Sequence, residues 1–153
     1  MRVRQRTTCS AMAEQKLFYD DVSEGDAAPE FSHALDRMDL VMYAGASGDF
    51  NPMHTNEVAA HDAGLPSVFG HGMFTMGLLG KAITDYVGVG NLERYQVRFT
   101  KQTWPGETLI THVTVANKFD EDGKHKVELD CEVVNQDGEP KVQGTAVAAL
   151  PAR

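Results

Sequence analysis

His71-Gly72-Met73-Phe74-Thr75-Met76-Gly77-Leu78-Leu79-Gly80-Lys81-Ala82-Ile83-Thr84-Asp85-Tyr86-Val87 is the stretch that decides the fold class. Its apolar residues run nearly all round a helix, which marks an element buried on most sides. Gly72, Gly77 and Gly80 each weaken a helix by roughly 1 kcal/mol relative to alanine. Their presence suggests close approach to the backbone, as in a sheet wrapped round the helix. Four alternating segments follow. Tyr95–Phe99 is the first; Thr108–Lys118 is the second, with Leu109, Thr111, Val113 and Val115 on one face. Lys126–Val133 alternates cleanly, and Val142–Leu150 is rich in small residues that permit close packing on the helix. Trp104-Pro105-Gly106-Glu107 and Asp137-Gly138 read as turns. Strands after one long buried helix predict an α+β domain, a curved, mainly antiparallel sheet around that helix.

Upstream, Phe31-Ser32-His33-Ala34-Leu35 alternates as a short first strand. Asp36 can cap a helix running to about Ser47, with Met38, Val41, Met42 and Gly45 at helical spacing as its buried face. That helix leads into Gly48-Asp49-Phe50-Asn51-Pro52-Met53-His54, where Asn-Pro interrupts any continuous helix and places Asp49 and His54 on a loop. A carboxylate and an imidazole so close are the raw material of general acid–base chemistry. Asn56 to Gly64 reads as a short capped helix carrying His61.

The run Tyr43-Ala44-Gly45-Ala46-Ser47-Gly48-Asp49-Phe50-Asn51-Pro52-Met53-His54, followed by His71-Gly72-Met73, resembles the hydratase motif of the MaoC-like dehydratases, the (R)-specific enoyl-thioester hydratases of the hotdog fold. His71-Gly72-Met73-Phe74-Thr75-Met76-Gly77 is most similar to the catalytic subunit of mycobacterial-type 3-hydroxyacyl-carrier-protein dehydratases. The resemblance implies reversible hydration of a 2-enoyl thioester of CoA or acyl carrier protein to the (R)-3-hydroxyacyl thioester, in fatty-acid metabolism. It implies that Asp49 and His54 share one water, with either able to serve as base. The N–H of Gly72, near the start of the helix, is expected to donate to the thioester oxygen. Asn51 is expected to fix the loop, and His71 to line the pocket or hydrogen-bond backbone. The family's architecture further implies a dimer, of two identical chains or with a second, motif-poor hotdog chain. Thioester hydrolysis and a non-catalytic acyl-binding subunit are the competing readings, and the Asp49-Asn51-Pro52-His54 pattern favours hydration over both.

Composition narrows the rest. A chain of 153 residues, 42% hydrophobic, is one domain. The expected division is a flexible tail over residues 1–16 and the hotdog domain over 17–153. Arg2, Arg4 and Arg6 lie in that tail, while the whole chain has a net charge of −8, which argues against nucleic-acid binding. With no long apolar span and no apolar segment after the basic start, no membrane association and a cytoplasmic location are expected. Cys9 and Cys131 form no framework. No metal-ligand spacing links Asp49, His54, His61 and His71, and Gly45-Ala46-Ser47-Gly48 is not followed by the lysine of a phosphate loop. No metal and no cofactor is expected. Arg94, Arg98, Lys101 and Lys118 are the basic residues available to CoA phosphates.

Overall fold

The computed structural model describes residues 17–153, so the expected tail, with Cys9, lies outside the described residues. A five-stranded antiparallel sheet curves around one helix. The strands are β1 (Phe31–Ala34), β2 (Leu92–Phe99), β3 (Thr108–Glu121), β4 (Lys124–Val134) and β5 (Pro140–Leu150), in the spatial order β1-β3-β4-β5-β2. The helices are α1 (Arg37–Ser47), α2 (Pro52–Thr55), α3 (Glu57–Asp62) and the long α4 (Gly72–Val87). The entry segment continues along the edge of β3, with Ala28 N–H on the Val113 carbonyl at 2.9 Å and Val115 N–H on the Asp26 carbonyl at 2.8 Å. Its start is tied by Tyr19 N–H on the Pro151 carbonyl at 2.9 Å and Lys118 Nζ on the Tyr19 carbonyl at 2.7 Å.

The period-2 runs form the core as the alternation requires. Leu109, Thr111, Val113 and Val115 of β3 and Val127, Leu129, Cys131 and Val133 of β4 are all buried, facing Leu79, Ala82, Ile83 and Val87 of α4. Burial pushes the Cys131 thiol up to about 12, so it stays a small protonated core residue. β3 runs three residues past the expected end at Lys118. Asp122 (φ 53°) and Gly123 (φ 72°) make a two-residue hairpin whose twist lets both strands continue pairing to the turn.

Three packing expectations need correction. Met38, Val41 and Met42 do not form the buried face of α1: they are 59%, 61% and 58% exposed, and Gly45 is exposed as well. Leu40 and Ala44, one helical turn apart, are buried and Tyr43 is half-buried against the His71 and Phe74 rings, while the apolar stripe of Met38, Val41 and Met42 faces out. Likewise α4 is buried along one face only, because the sheet curves round one side of it; Met73, Gly77, Lys81 and Asp85 are exposed. Its glycines also differ in purpose. A Cβ at Gly77 would meet nothing within 4 Å and one at Gly80 only the Tyr95 ring at 3.5 Å, whereas one at Gly72 would press on the Phe99 ring at 3.2 Å.

In β5, Ala146 and Ala148 are buried toward α4, but Gly144 answers to its neighbouring strand. A Cβ there would collide with the Gln96 carbonyl of β2. β5 also begins earlier than the apolar pattern suggests, because Lys141 is buried at 1% exposure. Its ammonium bonds Glu107 and Glu139 at 2.7 Å each and the Gln102 carbonyl at 3.0 Å. Glu107 also accepts from Trp104 N–H at 2.8 Å, closing the Trp104–Glu107 turn. These contacts fix residues 100–107 against the sheet, next to the start of α4.

Candidate active site

Each candidate side chain is placed by an ordinary local device. Asp36 and Asp39 form a reciprocal capping box, with bonds of 3.0 and 2.9 Å, that starts α1. Gly48, at φ 77°, ends it in the left-handed conformation and turns the chain into Asp49. The Asp49 carboxylate is exposed and accepts the Asn51 N–H at 3.2 Å. Asn51 Oδ1 in turn accepts the Met53 N–H at 3.0 Å, with Pro52 at the first helical position, so Asn51 is an N-cap. His54 is therefore not on the loop expected for it. The break before Pro52 is real, but Pro52 starts a one-turn helix of its own, α2, and that turn drives His54 inward to 9% exposure.

Inside, the imidazoles are held by backbone carbonyls. His54 Nδ1 lies 2.8 Å from the Phe69 carbonyl, and His71 Nε2 lies 3.0 Å from the Asp49 carbonyl. A carbonyl can only accept, so these two nitrogens carry the protons. In the neutral form of each ring, His54 Nε2 and His71 Nδ1 are then the nitrogens with a lone pair. The ring centroids are 4.1 Å apart. One donor atom from each of Asp49, His54 and His71 lies within 4.8 Å of the others. Arg37 braces this region from outside, bonding Glu57 at 2.6 Å and Ser67 at 3.0 Å and holding the Glu57 carboxyl down at about 2.

His71 is also the N-cap residue of α4, and its side chain caps nothing. Its carbonyl takes the Phe74 and Thr75 N–H groups. The N–H of Gly72, first residue of the helix, has no acceptor among the described residues. Gly72 directly follows His71 and lines a cavity of about 260 Å³ together with Phe69, Gly70, Thr75, Phe99 and Thr103 among others, while Asp49, His54 and His71 lie outside that lining. Gly70 is required there, since a Cβ would collide with the Thr103 hydroxyl.

All five candidate residues thus belong to one region, Asn51 as support. His61 does not. It is exposed, bonded to the Pro66 carbonyl at 3.0 Å and near Glu57 at 3.3 Å. Of the basic residues, Lys101 pairs with Glu139 and Lys118 with the entry segment, leaving Arg94 and Arg98 exposed on edge strand β2. Sequence reading missed Phe69 and the cavity threonines. A residue that acts through its carbonyl carries no signal in its identity, and Thr75 and Thr103 belong to segments that meet only in the fold.

Residues 22–136 match the family described as MaoC like domain. The chain is 38% identical over 121 residues to 3-hydroxyacyl-thioester dehydratase Y of Mycobacterium tuberculosis, covering 71% of this chain and 42% of that protein. It is 28% identical over 138 residues to an (R)-specific enoyl-CoA hydratase of Rhodospirillum rubrum, covering 89% of this chain and 93% of the relative. It therefore spans about two fifths of the first relative's length and nearly all of the second's. The unliganded R-hydratase PhaJ1 of Pseudomonas aeruginosa superposes with a TM-score of 0.80 at 26% identity, over 90% of this chain and 88% of that one. The hotdog fold expected from the sequence is the fold observed. Among the described residues no helix is long and apolar enough to cross a membrane.

Proposed function

The chain belongs to the MaoC-like domain family, and from that premise we propose that it hydrates 2-enoyl thioesters, reversibly, to (R)-3-hydroxyacyl thioesters. The observation that carries the reading is the orientation of His54. With Nδ1–H committed to the Phe69 carbonyl, Nε2 is the nitrogen left free, and a ring nitrogen of His54 lies within 4.8 Å of an Asp49 carboxylate oxygen. In hydration, the oxygen of a water shared by the two adds to C3 of the enoyl group as His54 Nε2 takes one of its protons. A proton passes from the same acid–base pair to C2, so that H and OH are added and nothing else is consumed. Negative charge that builds on the thioester oxygen is met by the Gly72 N–H and the positive end of α4. The acyl group occupies the cavity that Gly72 lines, and CoA and acyl carrier protein are both suitable carriers of the thioester, since both use the same reacting atoms.

The exposed edge of β2 and the outward stripe of Met38, Val41 and Met42 support a dimer, either of two such chains or with a second hotdog chain. Sedimentation at micromolar concentration is expected to give a dimer for the chain alone in the first case. A lone monomer without activity that a hotdog partner activates is the result expected in the second. The activity itself is tested with crotonyl-CoA and a longer enoyl-CoA, with chiral analysis of the product and a parallel thiol-release assay. Formation of the (R)-3-hydroxyacyl thioester without free thiol is expected. Thiol release in its place means hydrolysis, and the proposal then fails.

A further inference from the structure

The turn Trp104-Pro105-Gly106-Glu107 has no part in the proposed reaction, yet a chain of hydrogen bonds joins it to His54. His54 Nδ1–H is bonded to the Phe69 carbonyl at 2.8 Å. That carbonyl belongs to the same peptide group as the Gly70 N–H, which donates to the Thr103 carbonyl at 2.7 Å. The Thr103 carbonyl in turn shares its peptide group with the Trp104 N–H, which donates to Glu107 Oε2 at 2.8 Å. Every donor points the same way, from the imidazole toward the carboxylate, and each peptide group passes the chain from its carbonyl to its N–H on the opposite side. Hydrogen bonds linked in this sense polarise one another, the more so away from water. This chain is sheltered. Thr103 is buried, the Glu107 side chain is 14% exposed, and the Phe69 ring stands edge-on to both His54 and Trp104, with centroids at 4.7 and 5.9 Å.

We propose that Glu107 is a positioning residue for hydration: through the Thr103–Trp104 and Phe69–Gly70 peptide groups it holds the proton of His54 on Nδ1 and supports the imidazolium that forms when Nε2 takes a proton from water. The inference rests on His54 acting as the base. A carboxylate bonded directly to a base histidine does these two things in a catalytic triad. Here it does so from the far side of two peptide groups. The negative charge draws on the Trp104 N–H and leaves the Thr103 carbonyl richer in electron density. That carbonyl binds the Gly70 N–H more strongly, which makes the Phe69 carbonyl a better acceptor for His54. The other carboxylate oxygen, Oε1, takes Lys141 Nζ at 2.7 Å and Asn135 Nδ2 at 3.0 Å, so the side chain is held from behind. Lys141 also draws charge away from the chain, and its removal leaves the bond to Trp104 in place with the full carboxylate charge behind it.

The test compares two variants that break one ion pair from its two sides. Glu107→Gln and Lys141→Met both remove a buried partner, so stability is followed by urea unfolding and activity is read on folded protein. In crotonyl-CoA hydration, Glu107→Gln should lower kcat by about tenfold or more with KM within about twofold, the size typical of a group that orients an active-site histidine, while Lys141→Met stays within about threefold in kcat. A second readout is independent of activity: the His54 Nδ1–H proton resonance in the full chain, prepared with isotope-labelled histidine. It should move upfield, toward a weaker hydrogen bond, in Glu107→Gln and not in Lys141→Met. Unchanged kcat in Glu107→Gln, equal losses in the two variants, or a wild-type His54 that carries its proton on Nε2 overturns the proposal. An inactive wild-type chain in which Glu107→Gln still moves the resonance refutes the hydration reading and leaves the link between Glu107 and His54 standing. Should Glu107→Gln fail to fold, Lys141→Met/Glu107→Gln, which leaves neither member of the pair charged, is compared with Lys141→Met, and the same fall in kcat is expected.

Discussion

Gly72→Pro removes one N–H from the proposed site and leaves the remaining backbone able to fold as before. Gly72 is the first residue of α4, where an N–H has no helical acceptor to lose and where proline is favoured. His71 before it has φ −61° and ψ 131°, already in the extended region that a following proline demands. The cost falls on Phe99, whose ring would lie 3.2 Å from the new Cβ. That ring is 49% exposed and can yield a few tenths of an ångström. Restricting the unfolded chain offsets the strain by about 0.4–1 kcal/mol, so the melting temperature should hardly change. Loss of one oxyanion donor typically costs about 10²–10³ in rate, or about 2.7–4 kcal/mol of transition-state stabilisation. The measurement is kcat/KM for crotonyl-CoA hydration, with Gly72→Ala as the control that crowds Phe99 equally and keeps the N–H. Alanine should stay within about tenfold of wild type while proline falls by the full amount. A folded proline variant with wild-type turnover refutes the oxyanion role. Equal losses in both variants would trace the effect to Phe99 and refute it as well. If proline prevents folding, binding of a non-reactive thioether analogue to Gly72→Ala together with its kcat decides whether the space beside Phe99 is part of the site.

Asp49→Asn and His54→Gln should each lower hydration by at least about 10²-fold with unchanged far-ultraviolet circular dichroism. The double variant should be little worse than the weaker single, since both act on one water. Lys141→Met should cost about 3 kcal/mol in urea unfolding, because the largely buried Glu107 loses its cation, whereas Glu139 keeps Lys101. Adding Glu107→Gln to it should recover part of that loss, and a full-strength Lys141→Met would show the buried pair to be dispensable.

Much of the fold was legible in the amino-acid sequence because helix and strand periods are local. The alternation in β3 and β4, the Asp36 cap, the Pro-Gly turn at 105–106 and the apolar run of α4 each state their own conformation within a few residues. The Asp49 and His54 pair was legible for the same reason, being five residues apart across a proline. Periodicity says that a helix has an apolar face and not what will cover it. That is why the stripe of Met38, Val41 and Met42 read as core yet faces outward in the single chain. Only the tertiary structure decided how the site is assembled. Closing the loop between residues 49 and 71 brings the Asp49 carbonyl to His71 Nε2, and the turn at α2 brings His54 Nδ1 to the Phe69 carbonyl. Those two bonds choose which nitrogen on each ring is free. Because they are made by backbone atoms, which every residue possesses, no pattern of side chains could announce them.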